Sequence, residues 1–194
     1  MVYKTINELK QDIIFEAQLR GNRFIFHSTW GLFSPEHVYE GTRLLVEEVN
    51  VGTGDTILDL GCGYGALGLP LAKMTNPGLV YMADKDFIAV EYAKKNAKIN
   101  NISNCRVYLS NGFDQLPNDI RFDKIVSNLP AKVSKELFWI LFNEAKHYLK
   151  PGGAFYVVTI KGLKEFIKRN FQEIFGNYKK LGQSSNYIVA MALS

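Results

Sequence analysis

The chain has 194 residues with 47% apolar and 22% charged side chains, a composition ordinary for a soluble globular protein and a length that suits one α/β domain but not two. No apolar run approaches the roughly 20 residues of a bilayer span and the N-terminus has no secretory pattern, so a cytoplasmic protein without a membrane partner is expected. A net charge of +4 is compatible with an anionic partner without requiring one.

Residues 4–11 read as a short helix capped by Thr5 or Asn7. Ile13, Phe15, Ala17 and Leu19 then alternate with polar neighbours, and Phe24 and Phe26 alternate after Arg20-Gly21-Asn22, which predicts a β-hairpin. Trp30-Gly31-Leu32-Phe33-Ser34-Pro35 is a turn-rich apolar loop. Residues 1–34 are thus expected to form an N-terminal extension packed on a main domain over 35–194. That domain opens with a helix over 36–49, with Val38, Leu44, Leu45 and Val49 on one side. From Asp55 strands and helices alternate, which predicts an α/β fold with a doubly wound parallel sheet. The predicted strands are 56–60, 79–83, 105–109, 124–127 and 154–159, the last entered by a turn at Pro151-Gly152-Gly153. The predicted helices are 66–74, 87–99, 134–149 and 163–175, followed by closing strands near 178–181 and 187–192.

In such sheets ligands collect beyond the carboxyl ends of the strands, so the residues at each end are the candidate ligands. The first runs into Asp59-Leu60-Gly61-Cys62-Gly63-Tyr64-Gly65. Three alternate glycines permit a sharp turn and a close approach to a ligand, and the following helix offers free N–H groups. A carboxylate in this position repels a pyrophosphate but can hold a cationic amino group. The loop therefore suits an amino-acid-like nucleoside better than NAD. At the second strand end Asp84 can accept both hydroxyls of a ribose, while Asp86 is the better helix cap. The third offers Ser110-Asn111-Gly112, where Asn111 can meet an adenine amine, and the fourth ends in Ser127-Asn128-Leu129-Pro130-Ala131. Cys62 and Cys105 lack metal-ligand spacing and read as packing residues in a reducing compartment, so no metal is expected.

At the glycine loop the chain resembles the class I S-adenosylmethionine methyltransferases. From about Trp30 onward it resembles the methyltransferase small domain family, which includes ribosomal-RNA guanine methyltransferases. The resemblance is carried by Gly31-Leu32-Phe33-Ser34, Gly41-Thr42-Arg43-Leu44-Leu45, Leu58 to Gly65, Met82-Ala83-Asp84 and Ser127-Asn128-Leu129-Pro130. It implies a Rossmann-like, doubly wound seven-stranded sheet, mostly parallel with an antiparallel last strand. It also implies S-adenosylmethionine as cofactor, held by Phe33, Ser34, Asp59, Gly61, Cys62, Gly63, Asp84, Lys85, Asn111, Gly112 and Asn128, with a smaller contribution from Thr42. The catalytic turn would be Asn128, Leu129 and Pro130. There the Asn128 side-chain oxygen and the Leu129 carbonyl would accept the hydrogens of a planar nitrogen, so that proximity and electrostatic preorganisation supply most of the rate.

The family's turn reads Asn-Pro-Pro-aromatic, whereas here Leu129 replaces the first proline and Ala131 the stacking ring. A base would then stack on Trp30, Phe26 or Phe33, or present a ring nitrogen whose in-plane lone pair needs no acceptor pair. The implied activity is methyl transfer to a guanine nitrogen of rRNA or tRNA, exocyclic amine or ring nitrogen. A small-molecule or protein-glutamine acceptor, or a non-catalytic RNA-binding module, are the alternatives. Trp30, Lys132 and Lys135 would face the RNA. Further basic residues stand at Arg20, Arg23, Lys94, Lys95, Lys98, Lys161, Lys164, Lys168, Arg169, Lys179 and Lys180. Monomer and homodimer both stay open.

Overall fold

The computed structural model describes residue 5, residues 11–130 and residues 133–194. The helix expected over 4–11 lies outside the described residues, Thr5 and Gln11 apart.

The hairpin forms as its alternation predicts. Strands β1 (Ile13–Leu19) and β2 (Asn22–Ser28) pair antiparallel with Phe15 opposite Phe26 and Ala17 opposite Phe24. Arg20 and Gly21 close it with positive φ of 49° and 72°, the two-residue turn whose twist matches paired strands. Ala17, Leu19, Phe24 and Phe26 are buried, so the two phenylalanines are core and neither is free to stack a base.

Nothing in the sequence pattern announces how the outer edge of β2 is satisfied. Asn96 donates to the His27 carbonyl and accepts from its N–H at 2.8 and 2.7 Å, and Asn100 does the same for Ile25 at 2.8 and 2.9 Å. Two side-chain amides on one helix face thus replace a third strand. Asn96 is fully buried and also donates to the Tyr64 carbonyl at 2.9 Å, which ties the hairpin to the glycine loop. Asn96→Leu leaves these backbone groups buried and unpaired. It should cost about 2–4 kcal/mol, read as a lower urea midpoint at unchanged slope. A midpoint within error of the parent would show that the edge amides carry no weight.

The main sheet has seven strands in the order β5-β4-β3-β6-β7-β9-β8. These are β3 (Thr56–Leu60), β4 (Leu79–Asp84), β5 (Cys105–Leu109), β6 (Phe122–Asn128), β7 (Leu149–Ile160), β8 (Lys179–Gln183) and β9 (Tyr187–Leu193). Only β9 runs against its neighbours, between β7 and β8, so the single antiparallel strand is the last in the chain. On one face lie α1 (Glu40–Glu48), α2 (Gly68–Thr75), α3 (Phe87–Ile99) and the hairpin. On the other lie α4 (Lys135–Tyr148) and α5 (Lys164–Phe175), whose Phe138, Phe142, Ile167 and Phe171 pack with Phe155. Strands covered on both faces read as continuous apolar runs, which is why 57–60 and 154–158 are wholly buried.

Several boundaries differ from the expected ones, each for a local reason. Helix α1 starts at Glu40 rather than 36, because the His37 carbonyl is taken by the Ser34 and Tyr64 hydroxyls. Its buried stripe contains Leu45 and Val46, with Leu44 on the flank. Helix α2 starts at Gly68 rather than 66, because Gly65 at φ +94° still belongs to the loop. Pro151-Gly152-Gly153 does not end a turn before β7 but lies inside it as an irregularity, with Gly152 at φ +75° bonded to Ser194.

Sequence order turns back at the middle of the sheet: β3, β4 and β5 step one way, β6 and β7 the other. The crevice at that switch lies between the carboxyl ends of β3 and β6, and so between the glycine loop and Asn128.

Candidate active site

Two adjoining cavities, about 670 and 350 Å³, open at this switch point. They share Gly61, Asp84, Lys85, Asn128, Leu129 and Pro130, and so form one bent cleft around the strand ends. The larger arm adds Phe33, Tyr39, Thr42, Asp59, Cys62, Gly63, Ile160 and Tyr187. The smaller adds Ser110, Asn111 and Gly112 from the loop after β5 and an apolar wall from α4 with Leu137 and Ile140.

The glycine loop is folded by the strand beside it. Gly61 and Cys62 both donate to the Ala83 carbonyl at 2.8 and 3.1 Å, and Gly63 donates to the Asp84 carboxylate at 2.8 Å. Gly63 has φ +55°, and a Cβ there would meet no atom within 4 Å because it would project into the cleft. The chain thus gives up a side chain where a ligand approaches. Gly68 serves packing instead: a Cβ would stand 2.6 Å from the Met82 sulfur and 2.9 Å from Asp59.

Asp59 sits on the cleft floor, 1% exposed, and among the described residues neither carboxylate oxygen has a hydrogen-bond partner. Burial pushes its carboxyl up to about 8; Asp84 adds to this, and the nearby Gly68 amide offsets part of it without completing a bond. An orphaned buried acid is costly unless something cationic completes it. Asp84, by contrast, is already engaged, through Gly63 and through the Asp86 N–H at 3.0 Å, which leaves its remaining lone pairs toward the cleft. Asp86 caps α3 by accepting from Ile88 at 2.8 Å, as the sequence suggested. Cys62 lines the larger arm, but burial holds its thiol well above the ordinary range, so it offers no thiolate.

At the end of β6 Asn128 donates from Nδ2 to the Thr42 hydroxyl at 3.0 Å, which turns its side-chain oxygen away from α1. The Leu129 side chain is buried beside α4, and its N–H donates to the Val158 carbonyl at 3.0 Å, so the turn is fixed by backbone as well. Opposite stand Phe33, Tyr39 and Tyr187. The rings are edge-to-face at 4.6 and 5.2 Å, and the two tyrosine hydroxyls are hydrogen-bonded, which raises Tyr187 to about 12. Tyr39 and Tyr187 carried no signal in the sequence, since 148 positions separate them.

Other expected site residues fall elsewhere. Trp30 and Ser34 do not line the cleft; the Ser34 hydroxyl donates to the His37 carbonyl at 2.6 Å. Lys135 is exposed at the start of α4, outside both cavity linings, and Ala131 and Lys132 lie outside the described residues. Arg20 is spent on α1, donating to the Val46 and Val49 carbonyls at 2.8 and 2.6 Å; Arg23 pairs with Glu16 and Lys95 with Asp12. These three basic residues hold the fold. Among the described residues no helix is long and apolar enough to cross a membrane, and no group of three or more acidic, His or Cys side chains is placed to hold a metal.

The chain was compared with known proteins. Residues 23–191 match the model of the methyltransferase small domain family. An uncharacterized protein, YbxB, of Bacillus subtilis is 33% identical over 180 residues, covering 90% of this chain and 88% of its own. Ribosomal RNA large subunit methyltransferase G of Shewanella amazonensis is 29% identical over 84% of this chain but only 43% of its own length. Among solved structures, the T. thermophilus 16S rRNA N2 G1207 methyltransferase RsmC, in complex with AdoMet and guanosine, superposes at a TM-score of 0.85 with 31% identity, over 93% of this chain and 50% of that one. The chain therefore spans about half the length of these rRNA methyltransferases.

Proposed function

Because the chain belongs to the methyltransferase small domain family, we propose that it transfers a methyl group from S-adenosylmethionine to a guanine nitrogen in RNA. The observation that carries the reading is the orphaned Asp59 carboxylate, buried beneath the loop of alternating glycines in the same cleft as Asn128. The rRNA methyltransferases among its relatives support an RNA acceptor, and rRNA is the first class to test.

The residues present fit the cofactor. Asp59 would be completed by an α-ammonium group; Asp84 would have lone pairs left for ribose hydroxyls; Asn111 and Gly112, with Leu137 and Ile140, line the smaller arm where a flat adenine would lie. When bound, the cofactor supplies an electrophilic methyl on a sulfonium. The chain's own task is then placement. Asn128, anchored by Thr42, presents an acceptor oxygen that turns an exocyclic amine so that its lone pair leaves conjugation. The exocyclic amine is the first target on this account. The ring nitrogen is the second, supported by Ala131 standing where the family has an aromatic residue. In this reading residues 1–34 form an extension on a catalytic domain over 35–194.

The test is incubation with methyl-labelled S-adenosylmethionine and rRNA transcribed without modification, followed by mass spectrometry of the digested nucleosides. Label in a methylguanosine is the expected result, and its identity names the nitrogen. Bound cofactor with no label in RNA overturns the proposal. Label in a protein or a small molecule instead would move the acceptor to that class.

A further inference from the structure

An acceptor base needs a flat partner, and the turn at Asn128 offers none: the Leu129 side chain points into the core and Pro130 follows. Among the described residues, the rings lining the larger arm beside Asn128 are Phe33, Tyr39, Tyr64 and Tyr187, with Phe138 in the smaller arm; Tyr64 and Phe138 are 4% and 3% exposed and belong to the core. Tyr187 is 9% exposed and packs under Tyr39, and the hydroxyl bond between the two fixes them as a pair. Phe33 differs. It meets Tyr39 edge-to-face and leaves 61% of its surface to solvent at the mouth of a cavity. An exposed phenyl in that place has apolar surface to gain by covering.

Nor is the ring on a loose segment. The Tyr64 hydroxyl donates to the Ser34 and His37 carbonyls at 3.2 and 3.1 Å, and Ser34 closes the same turn onto His37. Tyr64 stands between Gly63 and Gly65, so the loop beneath the cofactor site also sets where Phe33 stands. We infer that Phe33 is the stacking surface for the acceptor base, supplying from the loop before α1 the flat contact that residue 131 lacks. The ligand class is a purine turned out of an RNA strand, held between the Phe33 ring and the Asn128 acceptor. The inference rests on the proposed RNA methyl transfer.

Phe33→Leu keeps apolar volume and removes the flat ring. With unmodified rRNA transcript, kcat/KM should fall about 5- to 150-fold, the range that base–aromatic stacking supplies. If the ring serves the base rather than the cofactor contact that the family resemblance implies for it, affinity for S-adenosylhomocysteine by calorimetry should stay within about 2-fold, and Phe33→Trp should restore the rate, an outcome that a purely structural role does not give. Wild-type kinetics for Phe33→Leu on RNA overturns the inference while leaving methyl transfer intact. An equal loss of S-adenosylhomocysteine affinity also overturns it, by assigning the ring to the cofactor. A wild-type protein that binds cofactor and methylates no RNA removes the underlying reading and the inference together.

Discussion

Asp59→Asn should weaken S-adenosylmethionine binding by about 10- to 100-fold and, in the same protein, raise the melting temperature measured without cofactor. The first effect follows from replacing a carboxylate–ammonium contact in a dry site with a neutral one. The second follows from the proton. Burial, with help from Asp84, holds the Asp59 carboxyl at about 8, whereas an unfolded chain releases that proton near 4. Between those values the folded state binds more protons than the unfolded one, so wild-type stability falls as pH rises from about 4 to about 8 and then levels off. Asparagine has no proton to keep. The gain of the variant should be near zero at pH 4 and full, at several degrees, by pH 8.5. Melting curves at the two pH values check this, and parallel curves would show that Asp59 is paired in solution.

The same residue predicts a proton count. At pH 6.5 the wild-type carboxyl is protonated, and an arriving ammonium pulls its pKa down, so about one proton leaves per cofactor bound. Calorimetry in two buffers of different ionisation enthalpy reads that proton. Asp59→Asn should release none.

Asn128→Ala should lower the methyl-transfer rate about 10²- to 10³-fold while changing cofactor affinity by less than about 3-fold, as when one preorganised acceptor or donor is lost from a reacting centre. Thr42 is buried at 6% exposure and receives the Asn128 amide hydrogen, so its loss should act through orientation and cost less. Thr42→Val should lower kcat about 3- to 10-fold with KM for S-adenosylmethionine unchanged, and Thr42→Ser should recover most of it. Single-turnover measurements separate these effects from product release. Activity of Asn128→Ala within a few-fold of the parent would move the chemistry away from the β6 turn.

The alternation of apolar runs with 3.6-period segments was enough to place every strand of the main sheet, because a strand sealed on both faces has little freedom of composition. Helix starts were read less well. At 36–39 and 64–67 the backbone is shaped by hydroxyls reaching from elsewhere and by a positive-φ glycine, and neither leaves a periodic trace. The places of the glycine loop, Asp59, Asp84, Asn111 and Asn128 in the cleft were legible because each stands at or just beyond the carboxyl end of a strand, where sequence position alone fixes them. Charge was the poorest guide: Arg20 and Arg23 resemble phosphate ligands on paper, yet they cap a helix and pair with Glu16.

By itself, then, the sequence determined the layer order and which strand ends line the cleft, since those follow from hydrophobic period and from residues adjacent to it. The opposite wall was decided only by tertiary structure. Tyr39 meets Tyr187 because β9 is threaded between β7 and β8, and Asn96 and Asn100 complete the hairpin only after α3 has docked. Such partners are joined by packing geometry across long stretches of chain, and no local preference records that geometry.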